Sequence, residues 1–444
     1  MSKSHRSLTV AGAKKGASPA TVDQIKKRRQ NPTTILSLDS DIVSIILAFL
    51  DMFDLVRCSL VCKLWNAIVD SRSLREYYER KMKNSSIAGS SEFTKAPLRV
   101  ILREVAMEQH KSALQCGDFY VDQWKGHSSA VALCRMKRGI LVTGMGDKVI
   151  RLWSLDSYKC IEEHSVPNML SLVDFDFDES KIVGLVGSHL CIWRRNGKRS
   201  IFPLLEGKFV KGSCMRYFDP EAVVGCDDGA IRVFDMYSRS CSQIIRMHHA
   251  PITCLCLSGD QVIVSGSTSG SITISDPSSV QQVATLRSSD ARGIRTLCCN
   301  SASQLLFAGS AVGCTYCWDL RTRKLLWSHR VSPNVIYSLQ HMQSDTSTLA
   351  VGGIDGILRL LNQNDGSIVS GCAVEDKLLS TFQSSSGSIQ IRKGRRLPDY
   401  INVDLIPRTG RPSITCLAVG MKKIVTTHNT SDIKVWKFNS NISF

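Results

Sequence analysis

The chain has 444 residues, 43% of them apolar and 21% charged, a composition that excludes wholesale disorder and leaves room for two or three globular domains. Its net charge of +17 is unevenly spread: residues 1–34 carry eight Lys/Arg against Asp23 alone, and residues 383–411 carry six against Asp399 and Asp404. The longest apolar run, Ile42–Leu50, spans nine residues where a membrane helix needs roughly 20, so no bilayer-crossing helix is expected.

In chain order, "MSKSHRSLTVAGAKKGASPA" lacks the apolar core of a secretory signal. Seventeen cysteines without such a signal point to a reducing compartment and free thiols. Most sit inside alternating runs such as "ITCLCL", where a cysteine serves as a small buried hydrophobe. Cys314 and Cys317 lie three apart on an expected strand, facing opposite ways, so no metal site is expected. Residues 1–34 are too poor in apolar groups to fold alone and form a disordered basic tail. Within it, Lys14 and Lys15 are separated by ten residues from Lys26, Lys27, Arg28 and Arg29. Two basic clusters at that spacing resemble a bipartite nuclear import signal. A nuclear or cytoplasmic location, or both, follows.

Residues 35–80 are expected to form short helices. "SLDSDIVSIILAFL" offers Ser37 or Asp39 as a cap before apolar positions at helical spacing. "DLVRCSLVCKLW" is expected as one helix capped by Asp54, with Leu55, Cys58, Val61, Cys62 and Trp65 along one face. "SRSLREYYERKMK" is amphipathic. A Ser/Gly-rich break precedes a linking helix within residues 81–117, where Pro97 suits the first turn and Leu98, Ile101, Leu102, Val105 and Met107 make the apolar stripe.

From about residue 118 to 440 the period becomes strand-like and the sequence repeats. Each unit holds three apolar runs separated by polar turns, the third run ending at Trp153, Trp193, Phe234, Ser275, Trp318, Leu361 and Trp436. Separations of 40, 41, 41, 43, 43 and 75 residues signal a β-propeller. The markers imply seven blades, and the long last interval implies a basic insertion at about 372–411 that leaves the ring intact. "GDFYVDQ" at 117–123 is expected to supply the outer strand of the last blade.

With "LWS" at 152–154, "VFD" at 233–235 and "CWD" at 317–319, this part resembles the WD-repeat family. The resemblance implies a buried hydrogen-bonded set, present in full as His127, Thr143, Asp147 and Trp153. Asp228 and Asp355 hold the turn position in two other repeats, while Ser269, Val312 and Thr430 replace it elsewhere. The fold class is therefore mainly β, a seven-bladed WD-repeat propeller preceded by a small all-α module and a linking helix.

The small module carries more apolar surface than about 45 residues can hide, which marks a partner site. Leu38, Asp41, Ile42, Ile46, Leu50, Asp54, Leu55, "VCK" at 61–63, Trp65 and Leu74 resemble the F-box, with Asp39 where that family has Pro and Arg75 where it has Trp. The resemblance implies docking of Leu38, Ile42, Ile46, Leu50, Leu55, Val61, Cys62 and Trp65 on the Skp-type linker subunit of a cullin–RING ubiquitin ligase. An F-box, a helix and a propeller in that order look like the F-box/WD-repeat substrate receptors. Such receptors are non-catalytic, and no catalytic set, cofactor motif or phosphate loop is legible here. Their propellers grip acidic or phosphorylated protein segments with arginines at one mouth of the ring, and Arg287, Arg292, Arg295 and Arg330 fall in or near the corresponding turns. Two other readings stay open: a nuclear scaffold with a vestigial F-box, and a basic propeller on nucleic acid. The last ranks lowest, since no aromatic stacking platform accompanies the charges.

Overall fold

A computed structural model describes residues 35–83, 96–166, 171–195, 199–201, 211–258, 262–276, 281–287, 292–342, 347–384, 387–398, 406–407, 411–420 and 422–438. The basic tail and its two clusters lie outside these residues. After a 3-10 turn at Ile35–Ser37 come α1 (Ser40–Ala48), α2 (Met52–Cys58), α3 (Lys63–Val69), α4 (Arg72–Lys83) and α5 (Leu98–Gln115). None of the described helices is long and apolar enough to cross a membrane.

Asp39 caps α1, its carboxylate accepting from the Ser40 N–H at 3.0 Å. The stretch expected as one helix from Asp54 is two. Asp51 caps α2 instead, accepting from the Asp54 N–H at 3.0 Å. The chain then breaks before Cys62, whose extended backbone and sulfur, accepting from the Trp65 N–H at 3.4 Å, start α3. Val43, Leu47, Phe53, Leu55, Val69 and Tyr78 form a core that Leu98, Ile101, Leu102 and Ala106 of α5 complete. The N-terminal half of the linking helix thus completes the core of the small domain.

The rest is a chain of meanders, each strand pairing with the next in sequence. β1 (Phe119–Lys125) stands apart and is placed below. Five four-stranded sheets follow. The first holds β2 (Val131–Lys137), β3 (Ile140–Met145), β4 (Val149–Ser154) and β5 (Cys160–Ser165). The second holds β6 (Leu172–Phe177), β7 (Lys181–Val186), β8 (His189–Arg194) and β9 (Arg199–Ile201). The third holds β10 (Gly212–Phe218), β11 (Glu221–Cys226), β12 (Ala230–Asp235) and β13 (Ser240–Arg246). The fourth holds β14 (Ile252–Leu257), β15 (Ile263–Ser267), β16 (Ser271–Asp276) and β17 (Gln281–Arg287). The fifth holds β18 (Ile294–Asn300), β19 (Leu305–Ser310), β20 (Cys314–Asp319) and β21 (Leu325–Arg330).

A nine-stranded sheet ends the chain: β22 (Ile336–His341), β23 (Thr348–Gly353), β24 (Leu358–Asn362), β25 (Ile368–Ser384), β26 (Gly387–Leu397), then β1, then β29 (Asp432–Phe438), β28 (Lys423–His428) and β27 (Ile414–Val419). Here β1 completes the meander β27–β29, pairing antiparallel with β29. The first strands β2, β6, β10, β14, β18, β22 and β27 neighbour one another in that order, and β27 returns to β2, so the ring closes. Second strands such as "TLAVGG" are buried throughout, and "EAVVGC" after its first residue, because both their faces meet neighbouring sheets, whereas outer strands such as β17 are mostly exposed.

Among the described residues, most of the expected basic insertion forms strands, not a loop. Ser380–Ser384 pairs with Gly387–Ile391 in a hairpin, and Ile389–Lys393 pairs on its other side with Tyr120–Trp124. The pairing sews two neighbouring meanders into one sheet.

Candidate docking sites

Two surfaces were expected to be functional, the outer face of the helices and the mouth of the ring. On the helices, Leu38, Ile42, Ile46 and Val61 are exposed, while Leu50, Cys62 and Trp65 are half-buried. Leu55 is the exception: it is fully buried against α5 and cannot dock anything. Ile45, Phe49, Leu60 and Leu64, which sequence reasoning left out of the docking set, are among the most exposed apolar residues of the chain, Phe49 at 87% and Leu60 at 76%. The signal was available, because Ile45 and Phe49 continue the face that starts at Ile42 by steps of three and four. An apolar face of this size is rare on a free surface.

The two departures from the family pattern have jobs inside the chain. Asp39 caps α1, as described. Arg75 donates to the Ala96 carbonyl at 2.9 Å, tying α4 to the start of α5. Arg99 donates to Asn66 Oδ1 at 2.9 Å and ties α5 to α3.

The helical domain is fastened to the ring at two places. Lys422 Nζ pairs with Asp51 Oδ2 at 3.0 Å and lies 4.9 Å from the centre of the Phe53 ring. Burial pushes the Asp51 carboxyl up, but the Asp54 N–H and Lys422 outweigh it and hold the carboxyl below its ordinary value. At the other end of α5, the Arg396 guanidinium of β26 donates to the carbonyls of Ala113, Leu114 and Gly117 at 2.6–3.1 Å. A cation on the last carbonyls of a helix also opposes its dipole.

Within the ring, Thr143 Oγ1 accepts from Trp153 Nε1 at 2.8 Å and lies 2.8 Å from His127 Nε2, while His127 Nδ1 is 2.9 Å from the Asp147 carboxylate. Burial lowers the His127 pKa despite the pull of Asp147. Burial pushes Asp147 up, yet hydrogen bonds from Arg151 and His127 take it down to about 2. Asp228 and Asp355 each hold an arginine four residues on, Arg232 at 2.8 Å and Arg359 at 2.6 Å, as Asp147 holds Arg151 at 2.5 Å. This Asp-x-x-x-Arg spacing was legible and unused. A reduced set persists in two of the repeats where the aspartate is replaced. His248 joins Ser265 at 2.8 Å and Ser271 at 3.0 Å, and Trp436 donates to Thr426, which lies 3.0 Å from His428.

Arg287, Arg292, Arg295 and Arg330 are all exposed, but they are not one cluster. Arg287 and Arg330 end outer strands, and Arg330 donates to the Pro333 carbonyl at 3.1 Å. Arg292 precedes β18. Only Arg295, on β18, lines the central cavity of about 390 Å³. Beside it in that cavity are Arg135 and Arg216, both paired with Asp174, at 3.0 and 3.3 Å. A basic residue interrupting the apolar run of a first strand, as in "LCRMK" and "CMRYF", was the sign of them. All seventeen cysteines are free thiols, and no group of metal-ligating side chains occurs among the described residues.

An F-box-like helical domain carried on a ring of β meanders defines a class, and comparison with known proteins agrees. Residues 35–77 match the F-box domain model, and residues 226–352 match the model of the WD repeat-containing protein 75 second beta-propeller. The chain belongs to the F-box/WD-40 repeat family. It is 50% identical over 439 residues, 93% of this chain and 97% of the relative, to F-box/WD-40 repeat-containing protein At3g52030 of Arabidopsis thaliana. Mouse F-box/WD repeat-containing protein 2 is 30% identical over 122 residues, 26% of this chain and 27% of the relative. Mitochondrial division protein 1 of Aspergillus niger is 28% identical over 152 residues, 34% of this chain and 20% of the relative.

Proposed function

We propose that this chain is a substrate-recognition subunit of a Skp–cullin–F-box ubiquitin ligase, its helices docking on the linker subunit and its seven-bladed ring holding a protein substrate. The observation that carries the reading is the outward apolar face of Ile42, Ile45, Ile46, Phe49, Leu60 and Val61. Fully burying one such side chain is worth about 1.5–3 kcal/mol, so covering the face supplies a driving force the isolated chain forgoes. The receptor performs no bond chemistry of its own in this reading. It raises the local concentration of a substrate lysine near a ubiquitin carrier held elsewhere in the complex. Arg295, Arg135 and Arg216, set against Asp174, leave the cavity lining net positive toward an acidic or phosphorylated segment.

Two charges of the "RKGRR" stretch are engaged within the chain, Arg396 on α5 and Lys393 with Asp118 at 3.8 Å, which favours this reading over one on nucleic acid. The decisive experiment compares the intact chain with Phe49→Asp plus Leu60→Asp for co-purification with the linker and cullin subunits. Both residues are exposed, so the variant keeps its melting temperature and loses the partners. Retained binding would defeat the reading. We further propose that the clusters Lys14–Lys15 and Lys26–Arg29 direct nuclear import, which substitution of the six residues by Gln in a fluorescent fusion would abolish.

A further inference from the structure

The turns joining first to second strands in three consecutive meanders, β2–β3, β6–β7 and β10–β11, surround a cleft of about 580 Å³. They lie at the far ends of those first strands, whereas Arg292 and Arg295 sit at the near end of theirs. Phe177, Tyr217, Phe218 and Ile140 give the cleft apolar walls. Phe218 is 58% exposed, and a smaller depression against Pro220 and Leu257 flanks its other side. A large aromatic ring left in water between two depressions is the form an interface anchor takes.

The charges here run against the rest of the molecule. The chain is +17, yet the two depressions carry Asp178, Glu179, Asp219 and Glu221 against Lys137 and Arg138. Both bases are engaged, Lys137 with Asp176 at 2.7 Å and Arg138 with Glu179. Asp219 is held by Lys181 at 2.6 Å. Asp178 is met by neutral donors: the backbone N–H groups of Ser180 and Lys181 at 2.6 and 2.8 Å, the Ser180 hydroxyl at 2.8 Å and the Tyr217 hydroxyl at 2.8 Å. Burial pushes this carboxyl up, but those hydrogen bonds outweigh it and keep it ionised.

The rings already show what they attract. Lys137 Nζ lies 5.4 Å from the Phe177 ring centre, and Lys181 Nζ lies 5.5 and 5.3 Å from those of Tyr217 and Tyr237. The exposed Phe218 ring has no such cation among the described residues.

We propose that this cleft binds an extended cationic segment of a partner protein, an arginine or lysine side chain lying across Phe218 with its charge against Asp178. The site is separate from both the helical face and the arginine-bearing end of the ring, and it selects the opposite charge from the central cavity. It stands or falls independently of linker-subunit docking.

The test uses the full chain and fluorescence anisotropy with a labelled peptide, acetyl-Gly-Arg-Gly-Arg-Gly-Arg-Gly-amide, against the same peptide with citrulline for arginine. Saturable binding of the arginine peptide is expected, weaker by about tenfold or more for citrulline. Phe218→Ala and Asp178→Asn should each weaken the arginine peptide by about fivefold or more; Phe218→Ala keeps the melting temperature because Phe218 is exposed, while Asp178→Asn keeps the Oδ1 acceptor of the turn and lowers the melting temperature only modestly. Equal binding of the two peptides, no binding of either, or variants that bind like the parent would each overturn the proposal. So would a dimer in sedimentation that Phe218→Ala dissolves, because the occupant would then be a second copy of this chain.

Discussion

Thr143 satisfies two buried groups with one hydroxyl, accepting from Trp153 Nε1 and bonding to His127 Nε2, while His127 Nδ1 lies against Asp147. Thr143→Val keeps the shape and strands both groups, at a cost of about 1–3 kcal/mol, whereas Thr143→Ser should come close to the parent in thermal denaturation. The buried histidines set a pH dependence. Burial takes His248 down to about 4 and His428 to about 3, from an ordinary 6.5. Between those limits only the unfolded chain takes the proton, so stability is complete above about pH 6.5 and drains away as the pH falls toward 4. Asp147 acts lower, losing its contribution between its ordinary 3.8 and about 2. Melting temperatures should therefore fall between pH 7 and pH 5, and fall less steeply in His428→Gln. His127, Thr143, Asp147 and Trp153 could be read from the resemblance to the WD-repeat family, because each residue keeps its family type. The His248 version could not, since serines replace both the threonine and the aspartate, and one hydroxyl among many carries no pattern. Cys62 as a helix cap was equally hidden, sulfur being an unusual capping acceptor.

Successive sheets are spaced by one repeated contact. A Cβ on Gly225, Gly266, Gly309 or Gly352 of the second strands would come within 2.6–2.8 Å of Ile252, Ile294, Ile336 or Ile414, the isoleucine that opens the next first strand. Gly309→Ala should accordingly destabilise by about 1–3 kcal/mol through overpacking, and Ile336→Ala should cost less on that background than in the parent, because it removes the Cγ2 that the new methyl meets. The repeat, its period and the strand role of residues 119–125 were legible, because burial on one or two faces writes itself into alternation. The hairpin of β25 and β26 was not. Its arginines and serines look like a solvated insertion, and only its partner β1, some 270 residues away in sequence, makes a strand of it. In the same way Leu55 shares the spacing of the exposed face yet belongs to the core, a distinction set by where α5 lies.

The molecule is held together along its length by α5. One end of that helix completes the core of the helical domain, and the other delivers Leu114 into the cluster containing Phe119, Leu358 and Trp436. Arg396 closes the joint. Replacing it with Gln should raise hydrogen exchange in the last turn of α5 while leaving the first strands protected, because three carbonyls lose a charged donor. In the role proposed above, presenting a bound protein at a set distance from a second site would depend on such a joint more than on either domain alone.

β1 is bonded along both edges, to β29 on one side and to β26 on the other. A backbone nick in the connection between Lys125 and Val131 would therefore release nothing. The two fragments would co-elute as one particle, and the break would come to light only after denaturant.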